Sequence, residues 1–157
     1  MKKLTLLCMI CLAALSMQAQ KGFTDLGLPS GTKWKNYNEP GFYTYDEAIS
    51  KFGKSLPTKM QFEELIINCR WRTTKGGFIV TGPNGQSITL PAEGCLTPGG
   101  ELQSAGNHGG YWSYTISGLV LLNERFAWHL NIDVHWESVE VDELIVIAGR
   151  SVRLIKK

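Results

Sequence analysis

The chain has 157 residues, carries 16 Lys and Arg against 14 Asp and Glu, and is 43% hydrophobic. Lys2 and Lys3 fall in an N-terminal leader that holds no acid, so the remainder carries 14 charges of each sign. That balance excludes a basic face for nucleic acid: a phosphate backbone needs several converging cations, and Lys33 with Lys35, Arg70 with Arg72 and Lys156 with Lys157 are only small groups.

The leader is read from Lys2 and Lys3, the apolar stretch Leu4 to Leu15 and the polar exit Ser16-Met-Gln-Ala19. An apolar run of that length is too short to span a bilayer and has the layout of a signal peptide cut after Ala19, residues 1–19. Cys8 and Cys11 lie inside the apolar core of the leader and are not placed for lipidation. The remainder, 20–157, has the length of one domain and buries a core without metals. The sequence therefore predicts an exported chain, in the periplasm, at the cell surface or outside, with no membrane span once the leader is removed.

In the remainder, Pro29-Ser30-Gly31 separates two short apolar pieces, which predicts an N-terminal hairpin anchored by Trp34. Thr44 with Glu47 has capping-box spacing, and Tyr45, Ala48, Ile49 and Phe52 recur at helical intervals, so a short helix is expected to stop at Gly53. Thr58 with Gln61 repeats the device after Pro57, and Phe62, Leu65, Ile66 and Cys69 form one stripe of a second helix with Glu63, Glu64 and Asn68 toward water.

Asn84-Gly85 is the strongest local turn signal. Taken as the central pair of a two-residue turn, it sets Thr81 opposite Ile88 and Ile79 opposite Leu90, with Phe78, Val80, Thr89 and Pro91 on the other face. Both faces are then apolar, and the hairpin is expected to lie centrally under a helix. Leu96 to Gly110 reads as a long glycine-rich loop. Beyond it, Tyr111 to Thr115, Leu119 to Leu122, Phe126 to Ile132, Val134 to Val141 and Leu144 to Ile155 read as antiparallel strands, with a turn or bulge near Ser138 where the alternation changes parity.

Outside the leader the cysteines are Cys69 and Cys95. Export makes a disulfide between them an open alternative to two free thiols; closing a loop of about 26 residues would stabilise by about 3.5 kcal/mol on the chain-entropy treatment. Two cysteines alone carry no zinc spacing, so no metal site is expected.

Several blocks stand in fixed order: Asp25-Leu-Gly-Leu-Pro-Ser-Gly-Thr-Lys-Trp34, Leu56-Pro-Thr58, Phe62-Glu-Glu-Leu65, Thr81-Gly-Pro-Asn-Gly85, Leu90-Pro-Ala92, Tyr111-Trp-Ser113 and Ser151-Val-Arg153. Together they resemble the Fibrobacter succinogenes major paralogous domain, a module of secreted bacterial proteins, over nearly all of 20–157. Tyr114 and Leu154 depart from the family pattern, and the stretch from Asn123 to Val141 matches it poorly. The resemblance implies an α+β, C-type lectin-like fold: two helices flanking antiparallel sheets, the first and last strands as neighbours, and a long loop supplying the ligand site. It also implies that Trp34 and Trp112 are core residues.

Fold does not import function. Calcium-dependent sugar binding needs six to eight oxygen ligands. The Glu-Pro-Asn, Gln-Pro-Asp and Trp-Asn-Asp motifs for it are missing, and the loop offers only Glu101, Gln103 and Asn107. An enzyme related to the formylglycine-generating oxidases would use cysteines and copper, but Cys69, Cys95, His108, His129 and His135 match no such active-site pattern, so no catalytic residue and no cofactor is assigned. What remains is recognition through a loop and nearby aromatics, because a flat ring stacks on sugar or peptide at little entropic cost.

Glu101, Asn107, His108, Tyr111 and Tyr114 are the expected ligand-facing residues, and a glycan or an envelope protein the expected partner. A structural protein of the envelope is the alternative. Mass spectrometry of the exported chain is expected to give Gln20 as its first residue; a product that retains residues 1–19 would remove the export reading.

Overall fold

The computed structural model describes residues 22–157, and the leader proposed for 1–19 lies outside them. The described chain is a mixed α+β unit of short antiparallel sheets and two short helices.

The N-terminal hairpin pairs β1 (Phe23–Asp25) with β2 (Lys33–Lys35), closed by a turn in which the Gly31 N–H donates to Leu28 O at 2.9 Å. The last strand of the chain, β11 (Ile155–Lys156), pairs with the other side of β2, so the sheet order is β1-β2-β11. Trp34, in the middle strand, is fully buried against Phe62 with ring centroids 5.6 Å apart.

Helix α1 (Tyr45–Phe52) starts where Thr44 and Glu47 exchange their capping bonds and ends at Gly53. A single 3-10 turn (Gly53–Ser55) leads to α2 (Lys59–Asn68), whose N-terminus is held the same way by Thr58 and Gln61. Reciprocal caps satisfy amides that a short helix otherwise leaves open, which is why eight and ten residues suffice here. Phe62 and Leu65 of α2 are fully buried. Glu64 does not simply face water: its carboxylate accepts the backbone N–H and the hydroxyl of Ser30, at 2.8 and 2.6 Å, tying α2 to the N-terminal turn.

Three strands follow as one meander: β3 (Arg70–Thr74), β4 (Gly77–Thr81) and β5 (Ser87–Pro91). The β4–β5 hairpin exists, but its register is one residue away from the expected one: Thr81 faces Ser87, Val80 faces Ile88 and Phe78 faces Leu90. The reason lies in Pro83. It takes the second position of a turn closed by the Gly85 N–H on Gly82 O at 3.0 Å, and only Gly85, at φ +84, is left-handed. Pro at that position fits an ordinary turn, so the loop is longer than a two-residue connection.

The one-residue slip exchanges faces. Phe78, Val80, Ile88 and Leu90 all become buried on one side, and Thr81, Ser87 and Thr89 share the other. The hairpin has one apolar face rather than two.

The stretch read as a glycine-rich loop contains structure. Strands β6 (Cys95–Leu96) and β7 (Leu102–Gln103) form a small hairpin, and β8 (His108–Leu121) begins before the expected loop ends. Some of its glycines serve close packing: a Cβ on Gly110 would lie 2.3 Å from Cδ of Arg150. β8 runs unbroken through the gap expected at Ile116–Gly118 and pairs with β9 (Glu124–Asp133), which pairs with β10 (Ser138–Ile145). The parity change near Ser138 is a turn over residues 134–137, with Glu137 at φ +50, and Val134 lies in it rather than in a strand.

This β8–β9–β10 sheet is the middle layer. Tyr111 and Trp112 are consecutive, so they point to opposite faces. Tyr111 joins Leu130, Ile132, Phe62, Leu65 and the β4–β5 hairpin in one core, and Trp112 joins Ala48, Leu56, Ala127 and Val152 in another, against α1. Both aromatics are fully buried.

Arg153 locks the layers together. It is only 1% exposed, and its guanidinium donates to Asn38 Oδ1 at 2.8 Å, Lys35 O at 2.8 Å and Thr89 O at 2.7 Å. Replacing Arg153→Met leaves those acceptors unpaired in the interior and is expected to lower the unfolding free energy by about 3 kcal/mol or more. Arg153→Lys, which keeps the charge but not the fork, should lose less. Urea unfolding of both variants checks this; an unchanged midpoint for Arg153→Met would remove the clamp.

Candidate functional site

An open groove of about 800 Å³ lies between the N-terminal turn, the start of α2, β8 and the end of the chain. One wall is the N-terminal turn at Ser30; another is the start of α2 with Met60, Gln61 and Glu64; Tyr114 of β8 and the C-terminal Ile155 to Lys157 complete it.

Its walls are fixed by hydrogen bonds between segments far apart in the chain. Ser30 is held by Glu64, and Gln61, already engaged in the α2 cap, donates from Nε2 to Thr32 Oγ1 at 3.0 Å. Tyr114 donates its N–H to Pro57 O at 2.7 Å and its carbonyl accepts the Tyr45 hydroxyl at 2.9 Å. The Lys59 N–H donates to Thr115 Oγ1 at 3.0 Å. The backbone of Tyr114 is thus pinned at both ends while its ring stays 39% exposed. A pinned backbone carrying an exposed ring is a preorganised stacking platform. Leu56, Met60 and Ile155 make part of the lining apolar, and Lys54, Lys156 and Lys157 add cations to it.

The five expected ligand-facing residues do not come together. Glu101 and Asn107 are exposed on the β6–β7 hairpin and the approach to β8. Glu101 closes its own turn, with its N–H on Thr97 Oγ1 at 3.2 Å, and Asn107 O accepts the Val134 N–H at 2.7 Å. His108 is half-buried, and its Nδ1 has no hydrogen-bond partner. Tyr111 must be withdrawn from any ligand surface: it is fully buried, its hydroxyl donates to Pro91 O and accepts from Asn38, and burial raises its pKa. Tyr114 lines the groove, whose walls include nothing from Leu96 to Gly110.

Cys69 and Cys95 are free thiols and form no disulfide. Cys69 caps the end of α2, where burial pushes its pKa up to about 11 and keeps it protonated at neutral pH. Among the described residues no group of three His, Cys, Asp or Glu is arranged to hold a metal ion. Nor is any helix among them long and apolar enough to cross a membrane.

Apart from Tyr114, the groove residues were missed because the signal is long-range. Leu56-Pro-Thr58 and Tyr111-Trp-Ser113 are separate blocks in the sequence, and only the Tyr114–Pro57 and Lys59–Thr115 bonds make them one wall. No family model, no curated protein and no solved structure matches this chain.

In the central strand β9 of the middle sheet, His129 sits 3% exposed beside Trp112 and Arg150, with Nδ1 3.0 Å from Asp142 O. Burial first, and then the Arg150 charge with a smaller contribution from His108, lower its pKa from 6.5 to about 4. The Asp142 contact opposes the shift without cancelling it. The ring is therefore neutral at pH 7, with its Nδ1 hydrogen on the Asp142 carbonyl.

Between pH 6.5 and 4 the unfolded chain binds a proton that the folded chain refuses, so this contribution to stability is complete above 6.5 and is lost as the pH falls toward 4. The loss approaches about 3 kcal/mol. Thermal unfolding of the wild type should weaken over that window more steeply than that of His129→Gln; parallel curves would show that His129 does not carry the effect.

Proposed function

We propose that this chain is an exported, non-catalytic binding module, that it belongs to the Fibrobacter succinogenes major paralogous family with a C-type lectin-like fold, and that it takes a glycan of the cell envelope in the groove at Tyr114. The observation that carries the reading is the exposed Tyr114, its backbone pinned, in a groove lined by both apolar and polar side chains. A sugar presents a C–H face that stacks on a ring and hydroxyls that need hydrogen bonds at the periphery. Ser55, Glu64 and Lys54 supply acceptors and donors there.

Two features support the fold and family part. The ordered blocks fall on structural junctions: Asp25 to Trp34 makes β1, its turn and the middle strand β2, and Ser151-Val-Arg153 delivers the buried arginine beside β11. Both ends of the described chain lie in one sheet, although β1 and β11 each pair with β2 rather than with each other as the resemblance implies.

Soluble oligosaccharides and immobilised envelope polysaccharides, screened by calorimetry and pull-down, should include a binder. Tyr114→Ala is expected to weaken it about tenfold, the loss of about 1.4 kcal/mol, with the far-ultraviolet circular dichroism unchanged because the Tyr114 bonds to Pro57 and Tyr45 are made by its backbone. A panel with no binder, or equal binding by Tyr114→Ala, would overturn the glycan assignment.

A further inference from the structure

Among the described residues Arg150 and Arg153 are the buried arginines, and they are not equally satisfied. Arg153 gives its guanidinium to three oxygens. Arg150, 7% exposed, bonds Gly149 O at 2.9 Å through one terminal nitrogen, while its Nε has no partner. It takes part in none of the ion pairs among the described residues. The acids on adjoining segments are engaged elsewhere: Glu93 accepts from Asn38 and Ser151, and Asp142 accepts from the Glu143 N–H and acts on His129.

A guanidinium withdrawn from water without an anion is costly, because its donors lose their partners. What Arg150 meets is sulfur. Burial lowers the Arg150 pKa, and Cys95, which hydrogen-bonds its side chain, is the group that opposes the shift. On the other side the Arg150 charge acts on His129, which also feels His108, whose buried Nδ1 is unpartnered.

The backbone fixes the meeting of Cys95 with Arg150. The Gly94 N–H donates to His108 O at 2.7 Å, and Leu96 exchanges two bonds with Gly149 at 3.0 and 2.9 Å, so Cys95 is held from both sides. Gly110 makes room for the arginine: a Cβ there would lie 2.3 Å from Cδ and 2.6 Å from Nε of Arg150. The Cys95 sulfur itself belongs to a half-buried residue, within reach of a small molecule.

We propose that Cys95 is a modification site, a thiol that reacts with small hydroperoxides, and that Arg150 positions it and stabilises the charge that develops on it. The sulfur attacks one oxygen of the hydroperoxide; the S–O bond forms as the O–O bond breaks, and sulfur loses two electrons. The leaving oxygen takes the thiol proton and departs as water or an alcohol, and Cys95 becomes a sulfenic acid. A cation beside the sulfur favours the thiolate-like state through which this passes. The oxygen gained by Cys95 is an acceptor for the guanidinium, which a bulky adduct on sulfur does not supply.

Cys69 serves as an internal comparison. It is also a half-buried free thiol, but burial and the Glu64 charge push its pKa up to about 11, and no cation faces it.

The reduced chain, treated with hydrogen peroxide and dimedone and read by peptide mass spectrometry, should carry the adduct on Cys95 while Cys69 stays free. Cys95 should react about tenfold faster in the folded chain than in concentrated urea, because a thiol that is merely exposed gains nothing from the fold. Arg150→Gln should lower the folded rate about tenfold and Arg150→Lys should recover part of it, with circular dichroism verifying that both fold. Cys95 reacting no faster folded than in urea, Cys69 reacting equally fast, or a folded Arg150→Gln chain with the wild-type rate would overturn the proposal. The comparison of folded with unfolded wild type holds even where Arg150→Gln does not fold, and no readout involves glycan.

Discussion

A single buried guanidinium holds the fold's separate layers in register. Arg153 reaches the end of β2 through Lys35 O, the meander through Thr89 O and the following loop through Asn38, three elements that no one sheet contains. Asn38 in turn donates to Glu93 and to the Tyr111 hydroxyl, and Ser151 also donates to Glu93. The network matters because the two sheets it joins are small: three strands of two to five residues cannot be rigid alone. A fork of three bonds to carbonyl and amide oxygens fixes their mutual angle in a way that apolar contact, which lacks direction, does not.

The groove is a product of that fixed angle. Its walls come from the N-terminal turn, the start of α2, β8 and the last residues of the chain, and the bonds from Glu64 to Ser30 and from Tyr114 to Pro57 hold them apart. Tyr114 belongs to the same strand as Tyr111 and Trp112, whose rings are buried on opposite sides of the sheet. Two core anchors just upstream position a solvent-facing ring, which is the division of labour that a binding surface on a rigid scaffold requires.

The helices were legible in the sequence because their determinants are local: Thr44 with Glu47 and Thr58 with Gln61 are capping pairs three residues apart, and both caps form. Trp34 and Trp112 were legible as core. The β4–β5 register was not, because Asn84-Gly85 and Pro83 favour different turns and the packing of Phe78 and Leu90 on one face decides between them. The strand β3 carries Arg70, Arg72, Thr73 and Thr74, residues that read as surface, and it exists through pairing with β4 and the packing of Trp71 on Phe78. Tyr111 was misassigned to the ligand surface because adjacency to a glycine-rich segment suggests exposure, whereas Gly109 and Gly110 leave no room for a side chain because neighbouring segments press on them. A groove assembled from positions 30, 60, 114 and 155 leaves no short-range trace at all.

The adjacent pair Tyr111 and Trp112 has a consequence for how this architecture can vary. Because the two rings fill different interiors, gaining or losing one residue between Gly109 and Ser113 would rotate the strand by half a pleat and exchange the contents of both compartments at once. An extra residue at the Pro98-Gly99 turn or the Leu122-Asn123 tip brings no such exchange, so this stretch of β8 acts as a ruler between the two interiors.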